Sequence, residues 1–180
     1  MKKEFLIILL VLSSISIAFA QIPEPDFNNK PFYLEDNTLK RFETVNATID
    51  IKLKGMGYGG ADYYYTVFSK TSTTKFKGGE MPIFVIKVED GVDPEDFLTL
   101  VKAKVKRKKR LFIQGSRTMT GSTRDKSEYF VPIAYEKISK DYYKIIIEQD
   151  LEIGEYSIIR KMNTEKQAGV QVKIYCFSVN

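Results

Sequence analysis

The chain has 180 residues, 43% apolar and 28% charged, with a formal net charge of +5. It contains no His, no Trp and one Cys. These counts exclude His-based triads, His general bases, most transition-metal sites, an internal disulfide and any Cys-x-x-Cys metal motif.

Residues 1–20 read as a secretory signal peptide. Lys2 and Lys3 make a basic start, an apolar stretch runs to Phe19, and Ala18-Phe19-Ala20 supplies the small-x-small cleavage pattern. Gln21 would then be the new N-terminus. The stretch is interrupted by Ser13, Ser14 and Ser16 and is short for a ~30 Å hydrocarbon core, which argues against an uncleaved anchor. No later stretch is apolar enough to span a membrane. The expected product is a secreted or periplasmic domain of 160 residues with no integral membrane span.

Residues 21–37 are rich in Pro, Asn and acids and read as an extended N-terminal segment, with Phe27, Phe32, Tyr33 and Leu34 free to pack onto a domain over 38–180. Strand patterns follow. Residues 45–54 alternate, with Val45, Ala47, Ile49, Ile51 and Leu53 on one face. Residues 63–69 form an aromatic and β-branched run, and 82–88 are apolar enough for burial on both faces. Asp93-Pro94-Glu95-Asp96 is a helix start, with Asp at the N-cap and Pro at the first helical position. Beyond it, Phe97, Leu100, Val101 and Val105 fit a helical stripe, whereas Thr99, Val101, Ala103 and Val105 against Lys102, Lys104 and Lys106 fit a strand. The β-rich surroundings favour one helical turn and then a strand over 98–106. Further strands are predicted at 111–114, 129–138, 142–148, 155–159 and 170–179. About nine strands without a long helix predict a single antiparallel β-sandwich, Ig-like or related.

Several stretches carry a resemblance: Pro25-Asp-Phe-Asn-Asn-Lys-Pro-Phe-Tyr-Leu34, Lys54-Gly-Met-Gly-Tyr-Gly-Gly60, Gly154-Glu-Tyr156 with Ile158, and Val172-Lys-Ile-Tyr-Cys-Phe-Ser-Val179. Together they resemble uncharacterised small secreted bacterial proteins with an Ig-like β-sandwich. The resemblance covers most of the chain after residue 20. It implies fold and compartment and brings no catalytic residues.

Gly55-x-Gly57-x-x-Gly60 has the spacing of a dinucleotide fingerprint, but a strand follows where the fingerprint needs a helix, so the motif reads as a glycine-rich hairpin and predicts no nucleotide. Tyr58 within it is a candidate recognition residue. Tyr63 and Tyr65 share a strand face and are candidates for stacking on sugar rings, with Tyr64 opposite. Cys176 reads as a small buried apolar residue, since no His is present to activate a thiol.

The charge is unevenly placed. Residues 102–124 hold nine cations and no acid, and the rest of the chain after residue 20 carries a net −5. Lys102, Lys104, Lys106, Lys108 and Arg110 are the candidate binding cations, since close like charges repel and an anionic partner relieves them. The competing reading is an edge strand whose lysines block aggregation. The partner expected is an anionic cell-envelope polymer or an envelope protein; the secretory address argues against nucleic acid. No cofactor, metal or catalytic residue is assigned. Asp90, Asp93, Glu95 and Asp96 cluster, which leaves a small carbohydrate-active enzyme with paired carboxylates as the alternative. A purely structural envelope subunit is the third possibility.

Overall fold

The computed structural model describes residues 22–55, 58–118, 120, 122, 126–161 and 168–180. The signal-peptide reading of residues 1–20 lies outside them, as do Met56 and Gly57 of the glycine loop. The fold is all-β. Where the sequence predicts about nine strands in one sandwich, the described residues hold fourteen strands in two packed sheets, one of five strands and one of nine.

The chain opens with β1 (Lys30–Glu35) and β2 (Thr38–Arg41), joined at Asp36-Asn37. Both turn residues have positive φ, 50° and 56°, the backbone that a twisted two-residue hairpin needs and that Asp and Asn tolerate. Part of the segment read as a lead-in is therefore a sheet strand. Next come β3 (Glu43–Leu53), β4 (Ala61–Val67), β5 (Lys75–Phe76) and β6 (Ile83–Lys87). A single helical turn, α1 (Pro94–Phe97), leads into β7 (Leu98–Lys102) and β8 (Lys104–Lys106). The predicted order of helical turn then strand holds, and Asp93 caps the turn through Oδ1, which accepts from the Glu95 backbone N–H at 2.9 Å. The remaining strands are β9 (Lys109–Arg117), β10 (Phe130–Val131), β11 (Ile133–Ser139), β12 (Tyr142–Ile147), β13 (Gly154–Arg160) and β14 (Gln171–Val179).

The smaller sheet has the order β11-β12-β6-β1-β2 and the larger β10-β7-β13-β14-β3-β4-β9-β8, with β5 added beside the end of β14. Among the described residues the chain changes sheets five times, twice through a single residue, Phe42 and Pro132. Pro132 divides what the sequence suggests is one strand, because a residue without an N–H cannot carry the ladder through. Phe42 is 3% exposed and sits between the sheets among Tyr33, Phe76, Phe84 and Phe177, with ring centroids 4.9–6.2 Å away. Tyr156 and Ile158 of β13, Leu100 of β7 and Ile145 of β12 extend this apolar layer.

The larger sheet is curled into a half-barrel. Residues 98–106 cause the curl, since β7 pairs with β13 while β8, directly after it, pairs with β9 at the far end of the strand order. A second core fills the concave face: Ala47, Ile49, Tyr65, Val67, Val101, Phe112, Ile159, Ile174 and Cys176. Cys176 is fully buried, and burial pushes its thiol pKa up to about 12, so it is held as an inert thiol. The N-terminal residues cover the outer face of the smaller sheet, where the Tyr142 hydroxyl donates to the Pro23 carbonyl at 2.7 Å and Ile22 packs with Phe32 and Val85. No helix among the described residues is long and apolar enough to cross a membrane.

Candidate functional site

The most strongly charged feature is the β8–β9 hairpin. Its register pairs Lys104 with Leu111, Val105 with Arg110 and Lys106 with Lys109. Strand alternation then puts Lys104, Lys106 and Lys109 on the convex face and turns Val105 and Arg110 the other way. Arg107 and Lys108 form the turn, Arg107 with a φ of 54°. Lys104, Lys106, Arg107, Lys108 and Lys109 are all exposed. Among the described residues, none of these five cations has a carboxylate within ion-pair distance. Lys109 instead places its ammonium 4.3 Å from the ring centroid of Phe68, which is 66% exposed.

Two predicted members of this cluster stand apart. Lys102 is half-buried and is paired with Glu152; that hydrogen bond raises the Lys102 pKa and lowers that of Glu152. Arg110 is not a surface cation. It is fully buried, donating from Nη1 to Glu43 Oε2 at 3.0 Å and to Glu155 Oε2 at 3.4 Å, and from Nη2 to Ser69 Oγ at 2.7 Å. The reason is alternation. The turn ends at Lys109, so Arg110 is the first residue of β9 to face inward, in phase with Phe112. The sequence signal was available, since Arg110 and Phe112 are two apart in a strand whose inner positions must be buried.

The tyrosines do not join the cations. Tyr58 is 79% exposed in the β3–β4 turn, at the end of β4 where Ala61 pairs with Arg117. The basic hairpin lies at the other end, where Val67 pairs with Arg110. Six residues of extended strand separate the two ends by roughly 20 Å. Tyr63 and Tyr65 do share a face, but Tyr65 is 2% exposed in the concave core and offers no stacking surface. Tyr63 is half-buried. The glycine loop is a hairpin connection, closed by Gly59 N–H to the Lys54 carbonyl at 2.8 Å and Lys54 N–H to the Gly60 carbonyl at 2.9 Å.

Of the acidic cluster, Asp93 and Glu95 line an open cleft of about 380 Å³ together with Asp141, Tyr135 and Tyr143. The last three come from the β11–β12 hairpin, and their sequence separation hid them. The Tyr135 hydroxyl is buried without a hydrogen-bond partner among the described residues. Burial, then the nearby charges of Glu95 and Asp93, hold its pKa above the ordinary tyrosine value. Asp90 is outside the cleft lining and pairs with Lys140 at 3.3 Å.

Comparison with protein families, with curated proteins and with solved structures returns no match.

Proposed function

We propose that the protein is a non-catalytic, secreted or periplasmic binding module that contacts an anionic component of the cell envelope through the β8–β9 hairpin. One observation carries this reading: five adjacent exposed cations have no acidic partner among the described residues. Held close in a hairpin they repel one another, and an anionic surface relieves that repulsion and speeds encounter. The secretory address supports an envelope partner, a polymer or an acidic protein. The packing of the five-stranded sheet on β7, β13 and β14 supports an Ig-like or related sandwich for the body, as in the small secreted bacterial proteins that the sequence resembles.

The test is binding to a soluble acidic polysaccharide across a salt series, with Lys104→Glu, Lys106→Glu and Lys108→Glu combined. The expected result is binding that weakens steeply with salt and falls at least about tenfold in the charge-reversed protein, since exposed charge contacts are screened over ~8–10 Å. Salt-insensitive binding, or binding unaffected by the three reversals, overturns the reading.

The cleft favours a second reading, a small carbohydrate-active enzyme, because Asp93, Glu95 and Asp141 converge there. Hydrolysis of a glycan that is abolished by Glu95→Gln with Asp141→Asn would establish it.

A further inference from the structure

We infer that the partner of the basic hairpin is the headgroup surface of an anionic lipid bilayer, into which the hairpin tip dips. This rests on the reading of the hairpin as the anion-binding element and names what that element touches.

The observation is the placement of exposed apolar side chains among the cations. Phe68 is 66% exposed and Val105 is 42% exposed. They lie on opposite faces of the same tip. Phe68 sits under the Lys109 ammonium, on the face that also carries Lys104 and Lys106. Val105 pairs with Arg110 and so points with it to the other face, at the rim beyond the buried guanidinium. A flexible polymer or a protein edge lying across the hairpin covers one face, and leaves either Phe68 or Val105 in water. A headgroup layer that meets the Arg107-Lys108 turn end-on reaches both faces and buries both side chains.

The cations are distributed to suit that medium. Lys104, Lys106 and Lys109 project from the face that carries Phe68 while Arg107 and Lys108 lead at the turn, so phosphates in front of the turn and along that face find donors. Lysine stems can lie along apolar surface and lift their ammonium groups to the phosphate level, and the Lys109 ammonium stands directly over the Phe68 ring, so cation and apolar side chain sit at the same place on the tip. Apolar insertion combined with basic residues is the two-part signal that gives stable binding at a membrane surface, where either part alone is weak.

The experiment is co-sedimentation of the chain from Gln21, which carries every described element, with vesicles of phosphatidylcholine made with or without phosphatidylglycerol. Soluble polygalacturonate is a parallel arm. Two variants separate the contributions: Phe68→Ser with Val105→Ser, and Lys104→Glu with Lys106→Glu and Lys108→Glu. All five positions are exposed, so both variants are expected to melt at the wild-type temperature. The wild type should sediment only with the anionic vesicles. The apolar variant should lose on the order of tenfold or more in vesicle binding, from the burial of two apolar side chains, while keeping its polygalacturonate binding. The charge variant should lose both. Vesicle binding unchanged in the apolar variant, or wild-type binding to polygalacturonate alone, overturns the bilayer inference and leaves the anion-binding reading standing. Wild-type binding to neither, or charge-insensitive binding to both, overturns the two together.

Discussion

The guanidinium of Arg110 on β9 donates to the carboxylate of Glu43 at the start of β3, reaching past β4, which lies between those strands in the sheet. Glu155 of β13 takes the same guanidinium from a third side, and its own carboxylate accepts from the Ser72 backbone N–H and the Ser178 hydroxyl at 2.9 and 2.7 Å. The cluster thus ties strands from across the curl of the half-barrel at one end of its concave core. Removing one partner from such a cluster leaves uncompensated buried charge. Arg110→Met is expected to destabilise the fold by about 3–5 kcal/mol, and adding Glu43→Gln and Glu155→Gln should recover a large part. Urea midpoints measure both. A loss below about 1 kcal/mol for Arg110→Met would show that the pair is dispensable.

At the opposite end of β4, Asp62 is 4% exposed and holds three partners: Lys54 at 2.7 Å, Ser116 Oγ at 2.5 Å and Tyr64 Oη at 3.1 Å. Burial alone raises the pKa of a carboxyl, but here the hydrogen bonds from Lys54, Ser116 and Tyr64 outweigh it and hold Asp62 below its ordinary value of 3.8. A depressed folded pKa makes the ionised form the stabilising one. The contribution is complete above pH 3.8 and is lost as the pH falls through the lower folded value. Asp62→Asn should cost about 1–3 kcal/mol at pH 7, with a gap to wild type that narrows below pH 3.8. Thermal melts between neutral and acid pH test this; a gap independent of pH would contradict it.

Two glycines of the β3–β4 connection should respond differently to alanine. Gly60 has a φ of +87°, and a Cβ built there falls 2.0 Å from the Arg117 carbonyl oxygen. Gly55 has a φ of +54° with nothing within 4 Å of its Cβ position. Gly55→Ala bears only the left-handed backbone cost, about 1–2 kcal/mol. Gly60→Ala adds a backbone collision that forces the turn off the end of β9, and should lower stability by a further ~1–3 kcal/mol. Equal melting temperatures for the two variants would reject the close approach as the reason for glycine at residue 60.

Most strands were legible because a half-buried strand must alternate. The predicted spans at 45–54, 63–69, 82–88, 142–148, 155–159 and 170–179 overlap β3, β4, β6, β12, β13 and β14. The first hairpin is obscured in the sequence because Pro, Asn and acids outweigh the Phe32-Tyr33-Leu34 run, although Asp36-Asn37 carries the two-residue turn signal. The span 129–138 reads as one strand in the sequence because its apolar pattern continues across Pro132, while the ladder does not.

The basic segment shows where local reading ends. Composition and periodicity determined that residues 98–106 are a lysine-bearing extended stretch, that a helical turn precedes it, and that Cys176 is buried. These are local properties, set by side-chain alternation and capping over a few residues. Only the tertiary structure decided which cations remain in water. The hairpin turns at Arg107 and Lys108, the sheet curls because β7 and β8 pair with opposite ends of it, and Arg110 is drawn inward to Glu43 and Glu155, 67 and 45 residues away in the chain. Identical charges two residues apart thus meet different dielectric surroundings, and it is closure of the sheet, a long-range event, that separates the surface cations from the one that holds the half-barrel together.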